Sequence, residues 1–214
     1  MSMSEPGLTP AASDSSSPGE RSTSLHLRRA ADDDQESVAW LVSRYTPLLL
    51  CQARHRMPPS LRRHCDPEDA VADVWMVVLA ALPSLHPSQG SFTLGLVRFA
   101  STVMLRRIRD LLEKHVLGKP ISLSSPAPDL PADTRGVVAH VVAEEAKALV
   151  WQSLEQLPPQ DREIMVLHGI EGQAHKDVAL RVGLSPANSK VRYHRALKRL
   201  RELVPGSIFD DLED

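Results

Sequence analysis

Apolar residues in this chain recur at spacings of three and four and almost never alternate, a rhythm that predicts helices throughout. Over 38–54 the stripe is Val38, Leu41, Val42, Tyr45, Leu48 and Leu49, with Pro47 expected to bend or divide the helix. Met57-Pro58-Pro59 then marks a break. A third helix is expected from Asp66-Pro67-Glu68-Asp69, where a capping residue, a proline preset for the first turn and two carboxylates near the positive end of the dipole coincide. Val71, Val74, Trp75, Val78, Leu79 and Leu82 form its stripe, and Pro83 ends it. Phe92, Leu96, Phe99, Ala100, Val103, Ile108 and Leu111 define a long fourth helix with Arg98, Arg106 and Arg109 on one side. Further amphipathic helices are expected over 138–157 and from about 160 to 168.

From Lys176 to Leu203 the pattern is that of a helix-turn-helix. Val178, Ala179 and Val182 give a first helix a small apolar face, Gly183 suits the positive φ after a helix end, and Ser185-Pro186 reads as an N-cap followed by a first-turn proline. In the second helix Tyr193, Leu197, Leu200 and Val204 share one stripe, while Asn188, Arg192, Arg195 and Arg199 project from the other side. No Asp or Glu interrupts the cations between Arg181 and Arg201. A one-sign face there suits nucleic-acid phosphates and base edges better than a merely solvated surface.

Three stretches lack periodicity. Residues 1–24, rich in Ser, Pro and Gly, are expected to be a disordered tail; 117–136 reads as a flexible linker; and 205–214 reads as an acidic tail, solvated as short charged termini usually are. The expectation is therefore an all-α chain of two small helical domains, 25–116 and 137–204, the second carrying the helix-turn-helix. Composition sharpens this. Aromatic residues are only 4% of the 214, so the cores must be aliphatic, and the formal charge of −2 is spread unevenly enough to leave the Arg-rich helices locally positive. Two cysteines cannot make a disulfide framework, and no segment is long and apolar enough for a bilayer, so a reducing cytoplasm is the expected setting without membrane insertion. Cys51, His55, His64 and Cys65 lack the spacing of a zinc site, and no catalytic constellation or phosphate-cradling loop is present, so neither metal, cofactor nor enzymatic activity is expected.

The order of segments then matters. ESVAWLVSRYTPLLLCQAR over 36–54, DPEDAVADVWMVVLAAL from Asp66, LPPQDREIMVLHGIEG, and KDVALRVGLSPANSKVRYHRALKRLREL resemble, in register, the second and fourth conserved regions of extracytoplasmic-function bacterial RNA polymerase sigma factors. The resemblance covers about Leu25 to Val204. It implies a transcription-initiation subunit whose partners are core RNA polymerase and promoter DNA, and it also implies an anti-sigma factor without identifying a surface for one.

By that resemblance the helix from Asp66 is the polymerase-binding surface, with Asp69 and Asp73 as exposed acids and Val74 and Trp75 as apolar contacts. The loop 83–91 and the helix after it would capture the minus-ten strand, with Arg98, Arg106, Arg107 and Arg109 meeting the backbone. Gly95 stands where many family members carry Trp, which implies modest intrinsic melting. The major-groove readers of the minus-thirty-five element would be Asn188, Lys190, Val191, His194 and Arg195, with Arg192, Lys198 and Arg199 as phosphate clamps. Ser189 falls on the apolar stripe, where its hydroxyl is expected to return to the Ser185 carbonyl, and Val191 falls on the outer face. The competing reading is a stand-alone helix-turn-helix regulator that binds duplex operators, usually as a dimer over paired half-sites.

Overall fold

A computed structural model describes residues 18–86, 88, 91–118 and 144–212, and the regular elements among them are helical. Helix α1 (Pro18–Ala31) begins within the stretch expected to be disordered up to residue 24. Its cause is distant in sequence: the buried Thr23 hydroxyl lies 2.6 Å from the Tyr45 hydroxyl, and Leu27 and Ala30 join the core. Helix α2 (Gln35–Arg56) is capped by Asp34, whose carboxylate accepts the Ser37 N–H. It runs unbroken through Pro47, so the expected division does not occur. Burial of Leu41, Leu48, Leu49 and Ala53 offsets the one backbone hydrogen bond that proline removes.

A single turn, α3 (Pro59–Arg62), leads to α4 (Pro67–Ala81), which starts on Pro67 as its first residue but with no hydrogen bond from the Asp66 side chain. Helix α5 (Phe92–His115) is capped by Ser91, whose hydroxyl accepts the Leu94 N–H at 3.0 Å. These helices pack about α2, and Trp75 is the largest side chain sealed between them, its indole N–H donating to the Thr46 hydroxyl at 2.8 Å.

The second group comprises α6 (Glu144–Glu155), α7 (Pro159–Ile164), α8 (His175–Val182) and α9 (Pro186–Leu203). The expected linker falls mostly outside the described residues, as do 138–143 of the expected helix over 138–157. Helix α7 passes directly into a π-helical turn, Met165–Ile170, that buries Met165, Val166, Leu167 and Ile170. Periodicity of 3.6 does not anticipate the extra residue.

The two groups share one continuous core cluster running from Leu27 to Leu212. Helix α2 is the common wall, touching α6 and the π-turn. Polar contacts reinforce it: Arg56 grips the Glu171 carboxylate with two hydrogen bonds, 2.7 and 2.5 Å, Gln52 donates to the same carboxylate at 3.2 Å, and the Arg54 guanidinium lies 5.0 Å from the Trp151 ring.

Candidate nucleic-acid interface

The turn between α8 and α9 is built as the residues dictate. Gly183 ends α8 at φ 70°, ψ 37°, a left-handed conformation that costs any side chain. The Ser185 hydroxyl accepts the Asn188 N–H at 3.2 Å, and Pro186 opens α9. Tyr193, Leu197 and Leu200 face the core. On the opposite side Asn188, Lys190, Val191, Arg195, Lys198 and Arg199 are exposed, a cationic surface in which Asn188, Lys190 and Arg195 suit base edges and Val191 suits a thymine methyl.

Two expected contacts are placed differently. Arg192 is half-buried, with Nε 2.5 Å from the Asp161 carboxylate and Nη1 donating to the Gln160 side chain. It braces α9 against α7, which departs from the phosphate-clamp role expected of it. His194 is half-buried beside Tyr193, ring centroids 5.8 Å apart.

Behind the cationic face lies a histidine pair that the sequence does not announce. His168 and His175 stack with centroids 3.8 Å apart, and the Tyr193 ring meets His168 edge-on at 4.6 Å. His175 Nδ1 is 3.2 Å from the Ser189 hydroxyl, so Ser189 turns to the ring rather than to the Ser185 carbonyl, whose partner is the Ser189 backbone N–H. Burial first, then the positive potential of His168, His194 and Lys190, pushes His175 down to about 4, and burial lowers His168 as well. A cleft of about 390 Å³ opens beside this pair, walled by Arg98, Lys190, Gly172 and Gln173.

In the first group α4 exposes Asp69 and Asp73 but not the apolar residues expected beside them. Val74 is 0% and Trp75 1% exposed, both turned to α2, so neither can meet a partner; this corrects their expected role. The side chains that share the outer face with exposed Asp69 and Asp73 are Ala72 and the half-buried Met76, at the i+3 and i+7 positions from Asp69. Asp73 accepts from Arg107 of α5 at 2.5 Å, so two residues expected on separate surfaces neutralise each other. Arg106 and Arg109 are exposed, Arg109 lying 3.6 Å from Asp110.

Arg98 is half-buried, donating to the Ser88 hydroxyl at 2.8 Å and lying across Gly172 of the second group, where a Cβ would come within 2.8 Å of its Nε. Gly95 is required for a reason the sequence could not give: a Cβ there would stand 2.5 Å from the His86 carbonyl oxygen. The loop after α4 occupies the space a larger side chain would fill. Among the described residues no helix is long and apolar enough to cross a membrane.

Residues 147–200, which include α8 and most of α9, match the family model of Sigma-70, region 4. The chain is 29% identical to the ECF RNA polymerase sigma factor ShbA of Streptomyces griseus over 83% of its own length and 93% of that protein. It is 32% identical to the RNA polymerase sigma factor NccH of Alcaligenes xylosoxydans xylosoxydans over 84% of its length and 93% of that protein. Among solved structures it is similar to that of CnrH in complex with the cytosolic domain of CnrY, at 23% identity and a TM-score of 0.37, over 85% of this chain and 96% of that one.

Proposed function

The chain belongs to the extracytoplasmic-function family of RNA polymerase sigma factors, and from that membership we propose how its residues divide the work of promoter selection. The observation that carries the reading is the exposed face of α9, whose charges from Lys190 to Arg199 are all cationic, behind a capped left-handed turn. Asn188, Lys190, Val191 and Arg195 read bases of the minus-thirty-five element, and Lys198 and Arg199 hold its phosphates. Arg106 and Arg109 hold the backbone of the minus-ten strand, and Arg98 joins them once it leaves Gly172. Core RNA polymerase docks on the outer face of α4 through Asp69, Ala72 and Met76, joined by Asp73 once a partner cation displaces Arg107 from it.

The protein lends selectivity and does no bond chemistry of its own. It acts in the cytoplasm, where promoter and polymerase meet. Two functional units, 25–116 and 137–204, supply the polymerase/minus-ten and minus-thirty-five contacts.

Run-off transcription with purified core polymerase on the chain's own upstream DNA tests the reading. Defined transcripts that require the added chain are expected; unaltered start-site choice overturns it. A stand-alone regulator would instead shift duplex DNA equally well with and without core enzyme.

A further inference from the structure

We propose that residues 205–212 are a latch that shuts the chain into a closed form unable to span both promoter elements, an inference that rests on the sigma-factor reading above. Sequence places an acidic, solvated tail here, and the structure differs. Ile208, Phe209 and Leu212 are 2%, 0% and 2% exposed, packed into the shared core. Gly206, at φ 75°, turns the chain back after α9.

The latch ties the reader helix to the first group. On the α9 side, Arg201 donates to the Phe209 carbonyl at 3.0 Å and to the Leu212 carbonyl at 2.6 Å. On the α2 side, Arg44 reaches Asp211 through Nε at 2.9 Å and Nη2 at 2.6 Å, and also donates to the Gly206 and Ser207 carbonyls at 3.1 Å each. The Asp211 side chain is 1% exposed, and that guanidinium lies against its buried charge. The Arg56–Glu171 pair and Arg98 across Gly172 hold the same two groups together elsewhere along their boundary.

Length decides what the closed form can do. Elements centred about 25 base pairs apart are separated by roughly 85 Å of duplex at 3.4 Å per pair. The 167 described residues, folded on one core, have a radius of gyration of about 15 Å, hence an extent of roughly 40 Å. The two groups must part before both elements are engaged. While they are shut, Arg98 lies against the second group, yet Asp69 and Asp73 remain outward. Polymerase can therefore dock on the closed chain, and opening follows docking.

The test compares the full chain with Asp211→Asn, Arg44→Gln and a chain stopped after Pro205, using small-angle scattering for size, circular dichroism for helix content, and run-off transcription with core polymerase at limiting chain concentration. The latch predicts a compact parent, variants with a larger radius of gyration at unchanged helicity, and a several-fold higher transcript yield from them. Equal radii across the set, or an already extended parent, overturns it. Should the shortened chain lose helicity, Arg44→Gln decides, because it removes no core side chain. Transcripts of equal yield with equal radii sink the latch alone; no transcript from any chain sinks the sigma-factor reading, whatever the radii.

Discussion

Arg195 and Arg199 lie one turn apart on the outer side of α9, both exposed, and under the proposed division the first meets base edges and the second phosphates. Replacing Arg195 by Ala should change which minus-thirty-five bases are preferred, by about 1–3 kcal/mol at the affected position. Arg199→Ala should weaken all promoters alike. Transcription from a panel of single-base promoter variants separates the two; parallel, uniform losses contradict the division.

A different outcome is expected at Arg192, where Ala strips the Asp161 carboxylate of its cation and lowers folding stability as well as promoter use. The His175 imidazole ties stability to pH. Its folded pKa of about 4 lies below the unfolded 6.5, so the unfolded chain binds more protons in that window. Stability contributed by this group is present above pH 6.5 and is lost as pH falls toward 4. Denaturant midpoints measured across that range should fall for the parent and fall less for His175→Gln. Some residue roles were legible and some were not: the outward cations of α9 follow from helical phase alone, whereas Trp75 sat in the right phase for burial and was assigned outward only by resemblance. Arg192 shares the outward phase, but its partner Asp161 stands thirty-one positions away, beyond the reach of any local rule.

Helix ends were the most readable part of the chain. Gly183 and Ser185 each act within a few residues, so a single local rule finds them. Gly183→Ala should cost about 1–2 kcal/mol from backbone strain alone, since nothing lies within 4 Å of the added Cβ. Ser185→Ala should cost about 1 kcal/mol by orphaning the Asn188 N–H. Chemical denaturation checks both, and a loss below a few tenths for either would remove its assigned role. Gly95→Ala differs in kind, because the Cβ meets the His86 carbonyl at 2.5 Å and must push the loop aside. Elements ordered by distant partners were invisible: α1 depends on Tyr45, and the π-turn of Met165–Ile170 on packing against α2.

On the scale of the whole molecule, the sequence conveyed two helical units and their order but not that they meet. Beside the shared apolar core, the interface carries three separate cations, Arg44, Arg56 and Arg98, whose partners Asp211, Glu171 and Gly172 stand far along the chain. No periodic signal marks such pairs. Removing Glu171 by Ala should cost on the order of 3 kcal/mol in denaturant unfolding, since the Arg56 charge then loses its bidentate partner.

Cys51 sits on α2 in the wall of a cleft whose far side is Trp151, Leu154 and Val166 of the second group. It is 1% exposed, and burial pushes its thiol well above the usual range. Only a thiolate reached by solvent reacts with an alkylating reagent. The unaltered protein therefore carries its own chemical stopwatch: the rate at which iodoacetamide modifies Cys51, read by mass spectrometry against the more accessible Cys65, counts how often the wall comes apart, and adding polymerase should make that clock run faster.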